Sequence, residues 1–260
     1  MTAKEFIVAT LRTTLPRQLR RALVNVGFKL DREHFQQLAT RHLFAPDMKL
    51  GLGFLASKGF KPDNILDIGA FEGNWAKMAL EVWPAAKIIM IEANPEKAKL
   101  LRGDPSLKDA TVIESLLGPE DGAEVTFHVM ESGSSVYEEH SPVERKQLVL
   151  KQTTLDSVTA AAGTAEFIKM DVQGYELEVL KGGARTLAAA QAVLIELSLI
   201  EINEGAPLLH DALNFMNAAG FVTYDILELH RRPLDGAMNQ IDVLFVREAS
   251  PLRADKRHWA

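Results

Sequence analysis

The sequence predicts an α/β fold: a mostly parallel twisted sheet with helices on both faces and an antiparallel strand pair at its C-terminal end. Three observations carry the prediction. Apolar strand-type runs alternate with amphipathic helical runs from residue 64 to residue 219, as in chains of βα crossover units. Gly69 and Gly73 frame a loop between the first strand and its helix, within Ile65–Asn74. Val222–Leu227 and Ile241–Val246 read as two further strands, joined by a Pro/Gly/Asn-bearing segment. Crossovers in such a sheet are right-handed. A ligand is expected beyond the carboxyl ends of the strands, near the point where strand order reverses.

The 260 residues suffice for one large domain, or for a domain with an appendage. Hydrophobic residues at 47% and charged residues at 25% are the proportions of an ordinary globular protein. The absence of cysteine excludes disulfides, thiolate catalysis and cysteine-ligated metal centres, and it fits a reducing, cytoplasmic compartment. A net charge of -6 argues against nucleic acid as the main partner. No apolar run reaches transmembrane length, and Met1–Leu11 lacks the small-residue cleavage site of a signal peptide.

Residues 1–45 differ from the rest. Up to Leu30, Lys4, Arg12, Arg17, Arg20, Arg21 and Lys29 stand against Glu5, while Phe6, Ile7, Leu11, Leu19, Leu23 and Val26 recur at helical spacing. Pro16 suits the start of a second helix. The basic residues are few and interrupted, so a helical cap or a contact between copies of the chain is expected rather than a membrane-surface helix. The main domain is expected over 46–250, with a tail at 251–260.

Asp47–Lys58 is read as a helix ended by Gly59. The first strand, Asn64–Asp67, leads into the glycine loop and a helix over Asn74–Val82, stopped by Pro84. Lys87–Ile91 is a strand buried on both faces. Asn94 caps the next helix, with Pro95 at its first position and its end near Leu101. Further strands are read at Thr111–Ser115, Glu124–Val129, Leu148–Thr153, Glu166–Met170 and Ala192–Leu197. Helices are read at Leu155–Ala161, at Gly174–Leu187 with a break at Gly182-Gly183, and at Leu208–Ala219. The residues 131–144 form a polar loop.

Four carboxylates close four strands and share one sheet edge: Asp67, Glu92, Asp171 and Glu196. Buried charges need partners, so packing alone does not account for them. Glu92 lies 19 residues past Gly73, near the distance at which an acidic residue meets a ribose diol in nucleotide folds. The loop lacks the middle glycine of a dinucleotide fingerprint, which counts against a nicotinamide dehydrogenase. Asp67 either receives a cofactor ammonium or braces the loop. Lys169 leaves the same strand face as Asp171 and is expected to pair with it. Asp171, Lys169 and Glu196 are the candidate catalytic group, with Asp171 orienting or deprotonating an acceptor. Asp171 and Glu196 are oxygen ligands of the type that hold a divalent cation, but two carboxylates are thin evidence and no metal is expected. None of the seven histidines has ligand spacing. His140, in the polar loop with Ser134, Ser135 and Tyr137, is a candidate base over the acceptor site.

Several segments together resemble the FkbM family of S-adenosyl-L-methionine (SAM)-dependent methyltransferases. They are Leu66-Asp67-Ile68-Gly69-Ala70-Phe71-Glu72-Gly73, Ile91-Glu92-Ala93-Asn94-Pro95, Thr154-Leu155-Asp156-Ser157, Phe167-Ile168-Lys169-Met170-Asp171-Val172-Gln173-Gly174-Tyr175-Glu176, Val179-Leu180-Lys181-Gly182, Ile195-Glu196-Leu197 and Asp242-Val243-Leu244-Phe245-Val246. The resemblance covers roughly 60–246; Gln173 stands where the family pattern has Glu, which leaves Asp171 as the better catalytic candidate. It implies a Rossmann-like class I methyltransferase fold, SAM as donor, and a hydroxyl of a sugar or secondary metabolite as acceptor. By the same resemblance Gly69, Glu72 and Gly73 line the methionine end of SAM and Glu92 takes the ribose. Ala93 and Asn94 flank the adenine, with Ser115 at its far edge. The expected partner is a small-molecule or glycan acceptor, with a homo-oligomer formed through the N-terminal helices. A non-catalytic SAM- or nucleotide-binding module, or an N- or carboxyl-directed methyltransferase, are the alternatives.

Overall fold

The computed structural model of the protein describes residues 16–31, 46–130, 133–139 and 145–258. The chain divides into two units, Met1–Pro46 and Asp47–Ala260. In the first, Pro16 immediately precedes helix α1 (Arg17–Leu30), which exposes Leu19, Leu23, Val26 and Leu30. The apolar patch Phe6, Ile7 and Leu11 lies outside the described residues, as does His140.

The second unit runs α2 (Met48–Ser57), β1 (Asn64–Ile68), α3 (Asn74–Val82), β2 (Lys87–Glu92), α4 (Pro95–Gly103), β3 (Thr111–Glu114), β4 (Leu116–Gly118), β5 (Glu124–Val129) and β6 (Lys146–Thr154). It continues with α5 (Leu155–Ala162), β7 (Phe167–Met170), α6 (Glu176–Lys181), α7 (Ala184–Ala189), β8 (Ala192–Ser198), α8 (Leu209–Ala218), β9 (Phe221–Arg231) and β10 (Met238–Arg247). Local chemistry sets several boundaries. Asp47 accepts from the Leu50 N–H and starts α2; Asn94 accepts from Glu96 and Lys97 N–H groups, with Pro95 beginning α4. The Gly182-Gly183 pair separates α6 from α7.

The seven-stranded sheet has the order β3-β2-β1-β7-β8-β10-β9. Its first five strands are parallel; β10 is antiparallel to both β8 and β9. Strand order reverses between β1 and β7, so the ligand edge falls at their carboxyl ends. The run read as one strand at Thr111–Ser115 divides at Ser115: β3 stays in the large sheet and β4 enters a small sheet ordered β4-β6-β5. The final strands are longer than their apolar cores suggest, because the β9–β10 ladder continues from Phe221–Arg247 out to Arg231–Met238.

Side-chain alternation sends the strands' residues into two cores. Leu66, Ile168, Val193, Ile195 and Val243 join the core under α5 to α8; Ile65, Phe167, Leu194 and Leu244 join the one under α2 and α3. Phe167 is fully buried and makes edge-on contacts with Phe60, Trp75 and Trp83, at centroid separations of 5.7, 5.8 and 5.6 Å. Truncating Phe167 to alanine is expected to lower unfolding free energy by about 3–5 kcal/mol, read from urea midpoints. The second core continues toward the carboxyl edge with polar residues. Asp67, Lys169, Glu196 and Asp242 follow its apolar members by two positions on β1, β7, β8 and, from the other direction, β10.

Candidate active site

A cleft with about 850 Å³ of empty space, continuous with solvent, opens at the carboxyl ends of β1, β2, β3 and β7. Ile68, Gly69 and Phe71 line it from the end of β1, and Glu92, Ala93, Asn94 and Ser115 from the ends of β2 and β3. Asp171, Val172, Gln173 and Tyr175 line it from the end of β7, and Gly133, Ser134 and Val136 come from the polar loop. Leu116, Leu117, Phe127 and Val179 make one end apolar.

Glu92 closes β2 and is buried. Its Oε2 accepts the Phe71 N–H at 2.7 Å and its Oε1 the Asn94 N–H at 2.8 Å. One carboxylate thus ties the glycine loop to the loop after β2. Burial raises its pKa against the lowering effect of those two N–H groups. Each oxygen keeps a lone pair for a further donor from the cleft.

The glycine loop is built by its own chain. Gly69 has φ +75°, and a Cβ there would lie 1.8 Å from the Asp171 carbonyl oxygen. Gly73, at φ +72°, would bring a Cβ within 2.5 Å of Leu107. The close approach that requires glycine at these two positions is therefore to backbone and side chain. Phe71 adopts φ 49° between them, with Lys97 Nζ 4.0 Å over its ring. Gly69 lines the cleft. Glu72 instead pairs with Lys97 at 2.6 Å, and with Asn74 and Lys77 it borders a second, more open depression.

Asp67 is fully buried and does not reach the cleft. Its ion-pair partner is Lys169 Nζ at 3.5 Å, which also lies 3.5 Å from Asp171 Oδ2 and 3.4 Å from the Gly69 carbonyl oxygen. Desolvation works against the charge of Lys169, but Asp171 and Asp67 outweigh it and its pKa is raised. Desolvation likewise opposes the charge of Asp171, yet Lys169 and the Gln173 amide hold its carboxyl below the usual range. Asp171 thus stays an anion on the cleft wall, with about a third of its side chain exposed.

Gln173 bridges the carboxylates. Its Nε2 donates to Asp171 Oδ1 at 2.7 Å and to Glu196 Oε2 at 2.8 Å. It does so from a left-handed backbone, φ 54°, held by Ser135 Oγ and Asn203 Nδ2, which both donate to its carbonyl at 2.8 Å. Ser134 lines the cleft, and Tyr137 packs edge-on against Tyr175. Glu196 lies behind the cleft wall; burial, Asp171 and Asp242 push its carboxyl up to about 10.

Sequence reasoning assigned no role to three residues the structure draws into this region. Glu176 is buried, and its Oε1 accepts the N–H groups of Val172 and Gly174, both at 3.1 Å. Burial pushes its carboxyl from 4.5 up to about 7. The native state keeps a proton there that the unfolded chain has lost, so this stabilisation is complete below about pH 4.5 and fades as pH rises through about 7. Glu176→Gln is expected to reduce the loss of stability between about pH 5 and about pH 8 by ~1–3 kcal/mol, measured by denaturation at both pH values. His230 and Asp242 meet at 2.8 Å beside Glu196. In the sequence Asp242 stands out only as part of a strand motif, and the spacing of His230 carries no signal.

A parallel sheet with strand order reversing at a glycine loop and a terminal antiparallel strand make this a Rossmann-like α/β fold. The profile of the methyltransferase FkbM domain matches residues 67–223, and the chain belongs to this family of methyltransferases. It is similar to the 2-O-methyltransferase NoeI of Sinorhizobium fredii (strain NBRC 101917 / NGR234), at 27% identity over 164 residues, 56% of this chain and 68% of that one. Similar solved structures include magnesium protoporphyrin IX methyltransferase (ChlM) from Synechocystis PCC 6803 with bound SAM, at TM-score 0.46 and 8% identity, covering 77% of each chain. A putative O-methyltransferase from Klebsiella pneumoniae aligns with TM-score 0.45 and 11% identity, over 76% of this chain and 79% of that one. Among the described residues, no helix is long and apolar enough to cross a membrane.

Proposed function

We propose that this chain transfers the methyl group of SAM to a hydroxyl oxygen of a small-molecule or glycan acceptor. The observation that carries the reading is the placement of Glu92 and Asp171, at the ends of strands on either side of β1, in one cleft at the strand-order switch. Glu92, with free lone pairs on both oxygens, suits a ribose diol; Ala93, Asn94 and Ser115 flank the base beside the apolar end. The acidic edge favours a cationic sulfonium donor over a dinucleotide with two phosphate charges.

When bound, SAM supplies an electrophilic methyl group. The chain's part is alignment, which contributes on the order of 7–11 kcal/mol in well-oriented reactions. Asp171 faces the cleft and orients the acceptor hydroxyl. As a carboxylate held below its ordinary pKa it is a weak base, so it takes the proton late, as the oxygen loses electron density to the new bond. Lys169 and Gln173 are positioning residues that fix the Asp171 carboxylate. Glu196 supports Gln173 from behind and does not touch the acceptor. Oxygen as the accepting atom is supported by the name of the similar NoeI protein, a 2-O-methyltransferase.

The test is transfer of labelled methyl from SAM to neutral polyols and glycans. Label that survives mild alkali, as an ether does, is expected. Label recovered as an alkali-labile ester or on nitrogen would contradict hydroxyl methylation.

A further inference from the structure

We propose that Glu196, His230 and Asp242 form a binding site for one divalent first-row cation, of the Mn²⁺ type, on the far side of Asp171 from the donor cleft. The three side chains come from three neighbouring strands. Asp242 on β10 stands opposite Glu196 on β8, while Gln240, two residues before Asp242, stands opposite His230 on β9. One donor atom from each converges, with all three within 4.8 Å of one another. His230 Nε2 is 2.8 Å from Asp242 Oδ2 and 3.7 Å from Glu196 Oε1. Adjacent ligands around an ion held at about 2.0–2.2 Å stand ~3 Å apart, so these separations need only small adjustment.

The His230–Asp242 pair leaves the approach of Glu196 Oε1 without a bond of its own on that nitrogen. His230 Nε2 carries at most one hydrogen, and at 2.8 Å that hydrogen serves Asp242. Nothing on that nitrogen remains for Glu196, whose separation exceeds a hydrogen bond. Two carboxyl groups with side chains only 8% and 11% exposed thus converge on a single nitrogen. A divalent cation satisfies all three at once.

The surroundings suit a ligand set. The second oxygen of Glu196, Oε2, receives the Gln173 and Gln240 side-chain amides, each at 2.8 Å. Such outer contacts orient a ligating carboxylate. The His230 side chain is one-third exposed and gives a hydrated ion a path inward. One imidazole and two carboxylates, in a chain without cysteine, favour Mn²⁺ over thiophilic metals. The sequence expectation of no metal weighed Asp171 and Glu196 alone; the β9–β10 hairpin supplies the other two groups. The site is defined without the donor cleft and stands or falls independently of the SAM reading.

The test is titration of Mn²⁺ into the purified full chain, with free ion read by electron paramagnetic resonance. Saturable binding of one ion per chain is expected. Glu196→Gln, Asp242→Asn and His230→Ala should each weaken it at least ~10-fold, with circular dichroism unchanged. His230 is partly exposed, so its variant keeps the test informative if a carboxylate variant fails to fold. No saturable binding by the wild type, or equal affinity in a folded variant, would overturn the proposal.

Discussion

Replacing Glu92 with alanine is expected to weaken donor binding by ~10²–10³-fold. Two charge-assisted hydrogen bonds to a ribose diol, at about 1.5–2 kcal/mol each from the low end of the range for charged groups, leave a deficit of roughly 3–4 kcal/mol in affinity when removed. The loss has a second source. The same carboxylate holds the Phe71 and Asn94 N–H groups, so alanine also unties the loops that shape the cleft. Glu92→Gln separates the two. The amide keeps one acceptor but turns an NH₂ toward one of the backbone donors, so intermediate affinity is expected. Calorimetric titration of S-adenosylhomocysteine into the three proteins reads the series. Equal affinity in all three would remove Glu92 from the donor site.

Asp171→Asn is expected to lower turnover by about 10²–10⁴-fold, the range for loss of a positioned acid–base group. Donor affinity should change little, because Glu92 and the loops around it are untouched. The Gln173 amide and Lys169 would lose the anion between them, but both keep partners, Glu196 for one and Asp67 for the other. Single-turnover rates with saturating donor measure the chemical step apart from binding. Unchanged rates would remove Asp171 from the mechanism.

The sheet, its crossovers and the position of the cleft follow from patterns the sequence displays. Apolar runs such as Lys87–Ile91 read as buried strands because both faces pack. The Asn94-Pro95 cap and the Gly182-Gly183 break are local chemistry, and they appear where the residues predict. The C-terminal hairpin was read too short for a physical reason. Beyond Leu227 and before Ile241 the apolar residues thin out to Leu229, Pro233, Leu234, Ala237 and Met238, and Glu228, His230 and Gln240 belong to the acidic region around Glu196.

The site was legible in part. Gly69, Glu92, Ala93, Asn94, Ser115 and Asp171 meet around one cleft, as their strand-end positions predict. Asp67, Gly73 and Glu72 do not line it: the first is sealed beneath Lys169, the second packs on Leu107, and the third turns to Lys97. Which way a side chain turns in a tight loop depends on neighbours distant in sequence. The bond from Glu92 to Phe71, 21 residues away, and the bridge from Gln173 to Glu196, 23 residues away, arise only once the strands are aligned.

The most direct test of the central claim is calorimetric titration of the wild-type chain with SAM, with S-adenosylhomocysteine and, separately, with NAD. Micromolar binding of the first two and none of the third is the predicted result. Binding of NAD alone, or of none of the three, would contradict a methyl-donor site between Glu92 and Asp171.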